Sequence, residues 1–251
     1  MTSAADADRD TLLRSEPGPV NDEAPVSPDA VVRTLHVRRL GRMDYDEAHD
    51  LQKGLVEERR SNVIGDTLLL VEHPPVITLG ARNRIAVSHI VGSDEDLRRE
   101  GVTVHETGRG GDVTYHGPGQ LVGYPILDLC PDRCDVHRYV RDLEEALIGA
   151  VARLGITGVR VPGLSGVWVG ESGCEEKVAA IGIRISRWIT SHGFALNVTT
   201  NLSHFNLIVP CGIADRGVTS IAKQLGHDVL MADVETAVID SFARVFHADI
   251  V

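Results

Sequence analysis

Cys211 and Lys177 are the side chains whose local sequence best suits covalent chemistry. Cys211 sits in Ile208-Val209-Pro210-Cys211-Gly212-Ile213, a short apolar run broken by proline and glycine at the cysteine itself. A cysteine among apolar residues is ordinarily a small buried hydrophobe. Its proline and glycine neighbours favour a loop instead, and a loop presents a thiol to an electrophile. Lys177 precedes the apolar run Val178-Ala179-Ala180-Ile181-Gly182. Partial desolvation there would lower the pKa of its amine and make it a base, the alternative being a solvated lysine at a strand end.

The segment Arg109-Gly110-Gly111-Asp112-Val113-Thr114-Tyr115-His116-Gly117-Pro118-Gly119-Gln120 is the most unusual in the chain. Its glycines let main chain approach a ligand closely, and Thr114, Tyr115, His116 and Gln120 add polar groups to that surface. It lacks the Lys-Ser/Thr ending of a phosphate-binding P-loop and is not a G-x-G-x-x-G opening a helix. Glycine-rich stretches are often only hairpin turns; the density of polar groups here points to a binding loop. His116 reads either as a satisfied structural histidine or as a group that meets substrate.

Cys130, Cys134 and His137 raise a metal site as a rival, but their spacing is not a zinc knuckle and no fourth ligand is close by. Four cysteines in a chain this long do not make a disulfide framework, and all are expected to be reduced. Cys174, in a polar turn beside Glu175 and Glu176, reads as an exposed, non-catalytic thiol.

The elements that must position these groups follow from periodicity. Asp44 with Glu47 predicts a capped helix carrying Tyr45, Ala48, Leu51 and Leu55 on one face. Strands are expected at 67–72, 76–79, 102–107 and 121–129. Asp135 caps the clearest helix, with Val136, Tyr139, Val140, Leu143, Leu147, Val151 and Leu154 at helical spacing up to Gly155. Ile181, Ile183 and Ile185, then Phe194, Leu196 and Val198, alternate as two strands of an antiparallel hairpin. A last helix carries Val234, Val238, Phe242, Val245 and Phe246. Hairpins outnumber strand-helix-strand crossovers, so the expected fold is α+β, a mixed, largely antiparallel sheet with flanking helices.

At 251 residues and 43% hydrophobic, the chain is long enough for one sizeable core and one site. Residues 1–30 hold seven acids against Arg9 and Arg14 and four prolines, and read as a disordered acidic tail before a single catalytic domain over 31–251. That leaves −6 of the −11 net charge on the body, which gives no electrostatic reason to bind nucleic acid. With no leader-like start and no apolar run near membrane-spanning length, a cytoplasmic protein is expected.

Four motifs in order resemble the lipoyl(octanoyl) transferases of lipoate biosynthesis, related in fold to the biotin and lipoate protein ligase catalytic domain. They are Arg-Gly-Gly-x-x-Thr-Tyr-His-Gly-Pro-Gly-Gln at 109–120, Lys-Val-Ala-Ala-Ile-Gly at 177–182, His-Gly-Phe-Ala-Leu-Asn at 192–197 and Pro-Cys-Gly-Ile at 210–213. The resemblance implies a ping-pong reaction without a cofactor. Octanoyl-acyl carrier protein would acylate Cys211, and a lysine of a lipoyl domain would then take the acyl group as an amide. Acceptors would be the E2 subunits of 2-oxoacid dehydrogenases and the glycine cleavage H protein. Lys177 would activate the cysteine, and substrate would be bound by Arg109, Gly110, Gly111, Asp112, Val113, Thr114, Tyr115 and His116, by Ala180, Ile181 and Gly182, and by Gly193, Phe194 and Ala195. The tail and the turn around Cys174 depart from the family pattern.

Two rivals stand beside this reading. An ATP-dependent ligase on the same fold needs a phosphate-gripping loop and no cysteine nucleophile, whereas a non-catalytic carrier would use the loop only to bind.

Overall fold

The computed structural model describes residues 33–81, 87–209 and 216–251. The acidic tail expected at 1–30 and the cysteine expected to act as nucleophile, Cys211, both lie outside the described residues. In chain order the elements are β1 (Arg33–Arg42), α1 (Tyr45–Arg60), β2 (Asp66–Glu72), β3 (Val76–Leu79), α2 (Asp94–Arg99), β4 (Thr103–Glu106), β5 (Val113–His116), β6 (Gln120–Ile126), α3 (Val136–Arg153), β7 (Val159–Val161), β8 (Leu164–Val169), β9 (Glu176–Ser186), β10 (Ile189–Asn197), a 3-10 turn (Leu202–Leu207), α4 (Ile221–Leu225), α5 (Met231–Phe246) and β11 (Ala248–Ile250).

Eight strands form the main sheet in the order β11-β1-β2-β6-β10-β9-β8-β7, and β4-β3-β5 form a smaller one. The pairs β1–β11, β1–β2 and β3–β4 are parallel and the others antiparallel, so the sheets are mixed and largely antiparallel, as expected. Alternation along the strands decides what each face meets. Leu68 and Leu70 of β2, with Phe194 and Leu196 of β10, pack toward α3 and α5. Leu69 and Val71, with Val122 and Tyr124 of β6 and Ala195 of β10, face the other way, toward Ala48 and Leu55 of α1. β2 is buried on both faces, hence its unbroken Leu-Leu-Leu-Val run. The smaller sheet has its own core of Ile77, Leu79, Val113 and Tyr115 against α2 and the 3-10 turn.

The hairpin expected from the isoleucine alternation is present, with a turn at Arg187 and Trp188, both at positive φ (52° and 65°) as a two-residue hairpin turn requires. Asp135 caps α3 through its side chain, which accepts from the Arg138 amide. Asp44 occupies the N-cap position of α1 but makes no side-chain cap bond, so that part of the expected capping box is corrected. Among the described residues no helix is long and apolar enough to cross a membrane.

A second correction concerns Cys130 and Cys134, which are joined by a disulfide rather than reduced. The turn 130–134, closed by Arg133 N donating to Leu129 O, brings their Cα atoms to 5.3 Å, within bridging range. Both thiols of the metal rival are thereby occupied. Among the described residues no cluster of three or more His, Cys, Asp or Glu side chains is arranged to hold a metal ion.

Candidate active site

The cavity that gathers the motif residues lies between the two sheets, where the loop 109–112 crosses the β9–β10 hairpin. Gly110 N donates to Ile183 O at 2.7 Å, and Ala81 N to Arg109 O at 2.9 Å, so the loop is tied to both sheets. Arg109 is buried, its guanidinium donating to Thr78 O (2.6 Å) and Thr78 Oγ1 (2.9 Å). A Cβ at Gly182 would sit 3.0 Å from Gly110 O and 3.2 Å from Arg109 Cδ, tighter than ordinary contact, so a side chain there would press the loop away from the sheet. The loop therefore rests directly on the sheet, and the space beside it is the cavity.

Register explains the floor. Ala195 pairs with Ala180 on β9 and with Val122 on β6, and Gly193 pairs with Gly182, so four small residues share one sheet face. They leave a trough where larger side chains would fill the layer. The cavity encloses about 800 Å³ of free space including its mouth. Its walls are Val113, Thr114 and His116 of β5, Tyr45 of α1, Val122 and Tyr124 of β6, and Phe205 and Val218. Lys177, Ser165, Arg109 and Asp112 reach it as well.

Of the residues expected to bind substrate, the structure brings all but one to this cavity: Arg109, Gly110, Gly111, Asp112, Val113, Thr114, His116, Ala180, Ile181, Gly182, Gly193, Phe194 and Ala195 line it, together with Lys177. Tyr115 does not. Strand alternation points it into the core of the smaller sheet, where it is 1% exposed and its hydroxyl meets His204 Nδ1 at 2.7 Å. Gln120 is likewise internal, its amide donating to Tyr115 O and Asn197 Oδ1. Tyr45, Tyr124 and His192 were missed by sequence reasoning. Tyr45 was absorbed into the apolar face of a helix, and His192 had a signal in its position next to Gly193.

Lys177 lies second in β9. Its backbone N donates to Gly217 O and its O accepts from Thr219 N, both at 2.9 Å, so the chain that follows Cys211 returns as a bridge alongside it. Its Nζ stands 4.6 Å from the centre of the buried Trp168 ring, a cation–π contact. Gly166, at φ 109°, brings β8 backbone close: a Cβ there would meet Ala179 O at 2.4 Å and Lys177 Cε at 3.6 Å.

The far wall is aromatic and uncharged. His73 Nδ1 donates to Met43 O at 2.9 Å and its Nε2 accepts from the Tyr124 hydroxyl at 2.8 Å. His116 Nδ1 donates to Gln120 Oε1 at 2.7 Å, and its ring stacks on Tyr45 with centroids 6.3 Å apart. Burial, reinforced by His73 and Arg109, pushes the His116 pKa down to about 3. Burial, reinforced by His49, Arg109 and Arg184, does the same to His192. Both rings are therefore neutral at neutral pH and weak bases.

A pH dependence of stability follows. In the unfolded chain these histidines take a proton near pH 6.5, and in the fold only near pH 3. Their stabilising contribution is thus complete above about 6.5 and is lost as pH falls toward 3. Between pH 7 and 5 each is expected to remove about 2 kcal/mol. Urea unfolding at the two pH values should show that loss, and it should shrink by about 2 kcal/mol in His192→Gly.

Residues 44–243 match the family described as the lipoyl protein ligase A/B catalytic domain. An octanoyltransferase of Chloroflexus aggregans is 52% identical over 216 residues, covering 86% of this chain and 96% of the relative. The chain belongs to the octanoyltransferases of this family. Members of this group are acyltransferases, and this chain is one of them by descent. A second octanoyltransferase, from Myxococcus xanthus, is 52% identical over 220 residues, covering 87% of this chain; the chain spans 61% of that relative's length. The fold is shared with a bi-partite lipoate protein ligase from Thermoplasma acidophilum at 17% identity, with a TM-score of 0.62 over 88% of this chain and 86% of that one.

Proposed function

We propose that the chain transfers an octanoyl group from octanoyl-acyl carrier protein to a lysine of lipoyl domains, through a thioester on Cys211. The observation that carries this reading is the trough of small residues that starts beside Lys177 and is closed over by the glycine loop. In the first half-reaction the Cys211 thiolate attacks the donor thioester carbonyl, the carrier sulfur leaves as a thiol with a proton from the Lys177 ammonium, and an acyl-enzyme thioester remains beside a neutral Lys177. In the second, the acceptor amine attacks that thioester, an amide forms, the Cys211 sulfur leaves, and the amine's proton passes to Lys177. Cys211 and Lys177 are the catalytic pair; the loop 109–116, Ala180 to Gly182 and Gly193 to Ala195 bind the acyl group. Within the loop, Tyr115 serves by packing.

The family, the cavity and the pairing of Lys177 with Gly217, six residues on from Cys211, support this reading. Acceptors are lipoyl domains of 2-oxoacid dehydrogenase E2 subunits and the glycine cleavage H protein; the Thermoplasma ligase is itself described with its E2 lipoyl domain. We place the enzyme in the cytosol; among the described residues no helix is long and apolar enough to cross a membrane. The test is reconstitution with octanoyl-acyl carrier protein and a lipoyl domain in the absence of ATP. Octanoylated domain is the expected product, and a strict requirement for ATP with free acid would replace this reading by that of a ligase.

Two outcomes belong with it. Each methylene in the trough is worth about 0.8 kcal/mol, roughly fourfold, so hexanoyl donor should react about an order of magnitude less efficiently than octanoyl. Equal kcat/KM values would argue against a fitted acyl site. Removing residues 1–30, read as a tail outside the catalytic domain, should leave kcat/KM within about twofold of the full chain.

A further inference from the structure

A second cavity, with about 1430 Å³ of free space including its mouth, lies at the far end of the trough. Its lining is polar and charged, with Lys53, Glu57, Arg60, Glu106 and Arg184, though Val56 and Ile189 add apolar surface. Among the described residues, His192 is the one that lines both cavities. The register of β9 and β10 sets these features in a line. Lys177 comes first, then Ala180 opposite Ala195, then Gly182 opposite Gly193, then Ile183 opposite His192, and Arg184 opposite Ser191 is already in the second cavity. From Ala180 to Ile183 is three residues, ~10 Å at strand rise, about the reach of an extended eight-carbon chain.

His192 is held in place by more than packing. It has φ 55°, the left-handed region that a histidine adopts only under strain. Its amide donates to Gln52 Oε1 at 3.0 Å, and Gln52, from α1, is 2% exposed. The ring packs against His49 (centroids 5.6 Å) and Tyr124 (6.5 Å). A glutamine buried to hold one strained amide, with its own Nε2 left without a partner, is hard to explain by stability.

We propose that His192 is the end wall that limits acyl-chain length, and that Gln52 is the positioning residue that keeps its imidazole between the two cavities. The inference rests on the acyl-transfer reading above. Chains that fit between Ala180 and His192 are accepted. Longer ones meet the ring, and removing it opens a path over Val56 and Ile189.

The test is the ratio of kcat/KM for dodecanoyl to octanoyl donors in the full chain and in His192→Gly, Gln52→Leu and Gln52→Glu. Glycine takes φ 55° without strain, so His192→Gly removes the wall and keeps the backbone. The ratio should rise at least tenfold in His192→Gly and severalfold in Gln52→Leu, and return toward wild type in Gln52→Glu, which still accepts from the His192 amide. Calorimetric binding of free octanoate and dodecanoate to the same four proteins gives a second ratio that needs no turnover. Absence of octanoyl transfer by the wild type would count against the acyl-transfer reading, while a shifted binding ratio would still support the wall. Unchanged ratios in His192→Gly, with octanoate binding retained, would overturn it.

Discussion

Lys177→Arg is expected to leave Cys211 open to acylation while transfer to the acceptor lysine falls by roughly 10² to 10⁴, the usual worth of a general base. Arginine keeps the positive charge and can still stand over the Trp168 ring, but its guanidinium does not give up a proton in a protein. The two half-reactions make unequal demands. Lowering a thiol pKa by about two units raises the thiolate fraction about 25-fold but costs about eightfold in nucleophilicity, a net gain of about threefold. An acceptor lysine, by contrast, is neutral in about one molecule in 2,500 at pH 7, a deficit of about 4.6 kcal/mol. The base is needed where that proton must go, so acyl-enzyme should accumulate in the variant, and raising the pH should partly restore transfer. Single-turnover rates of each half-reaction decide the matter: acylation collapsing while transfer stays fast would reverse the assignment.

Glu144→Ala is expected to lower unfolding free energy by about 3 kcal/mol. The Glu144 carboxylate, wholly buried on α3, accepts from Arg141 (2.6 Å), Arg160 (3.1 Å) and the amide of Gly166 (3.1 Å). Both arginines are partly exposed and can be solvated again, which holds the loss to the lower end of the buried-pair range. The Gly166 amide cannot, and Gly166 is the β8 residue packed against Lys177 Cε. Glu144→Gln keeps an acceptor for that amide and should lose about half as much. Denaturant midpoints measure both, and equal losses would show that the charge, rather than the Gly166 bond, carries the effect.

Sequence periodicity reached the parts of this fold where one residue pattern meets one environment. The Ile181, Ile183, Ile185 alternation became the β9–β10 hairpin, and the Asp135 cap became the start of α3. The parallel pairing of β1 with β2 was not legible, because Leu-Leu-Leu-Val in β2 is buried on both faces and carries no alternation. The smaller sheet was not legible either, since its strands are four residues each and its core draws on α2 and the 3-10 turn. In the site, the motifs located the loop and the trough, but not the direction of each side chain. Tyr115, between Thr114 and His116, turns away from the cavity while its neighbours face it, a consequence of strand geometry that the loop reading ignored. Tyr45 looked apolar by helical spacing and stands as an aromatic wall. His192 gained its place from a cross-strand partner and a glutamine 140 residues away, which no local pattern reveals.

The most direct test of the central claim is intact-mass and peptide analysis of the full chain after incubation with octanoyl-acyl carrier protein and no acceptor. A single octanoyl group is expected, lost on hydroxylamine treatment and carried by the peptide containing Cys211. A chain that stays unmodified, or that carries the group on the exposed thiol of Cys174 instead, would contradict it.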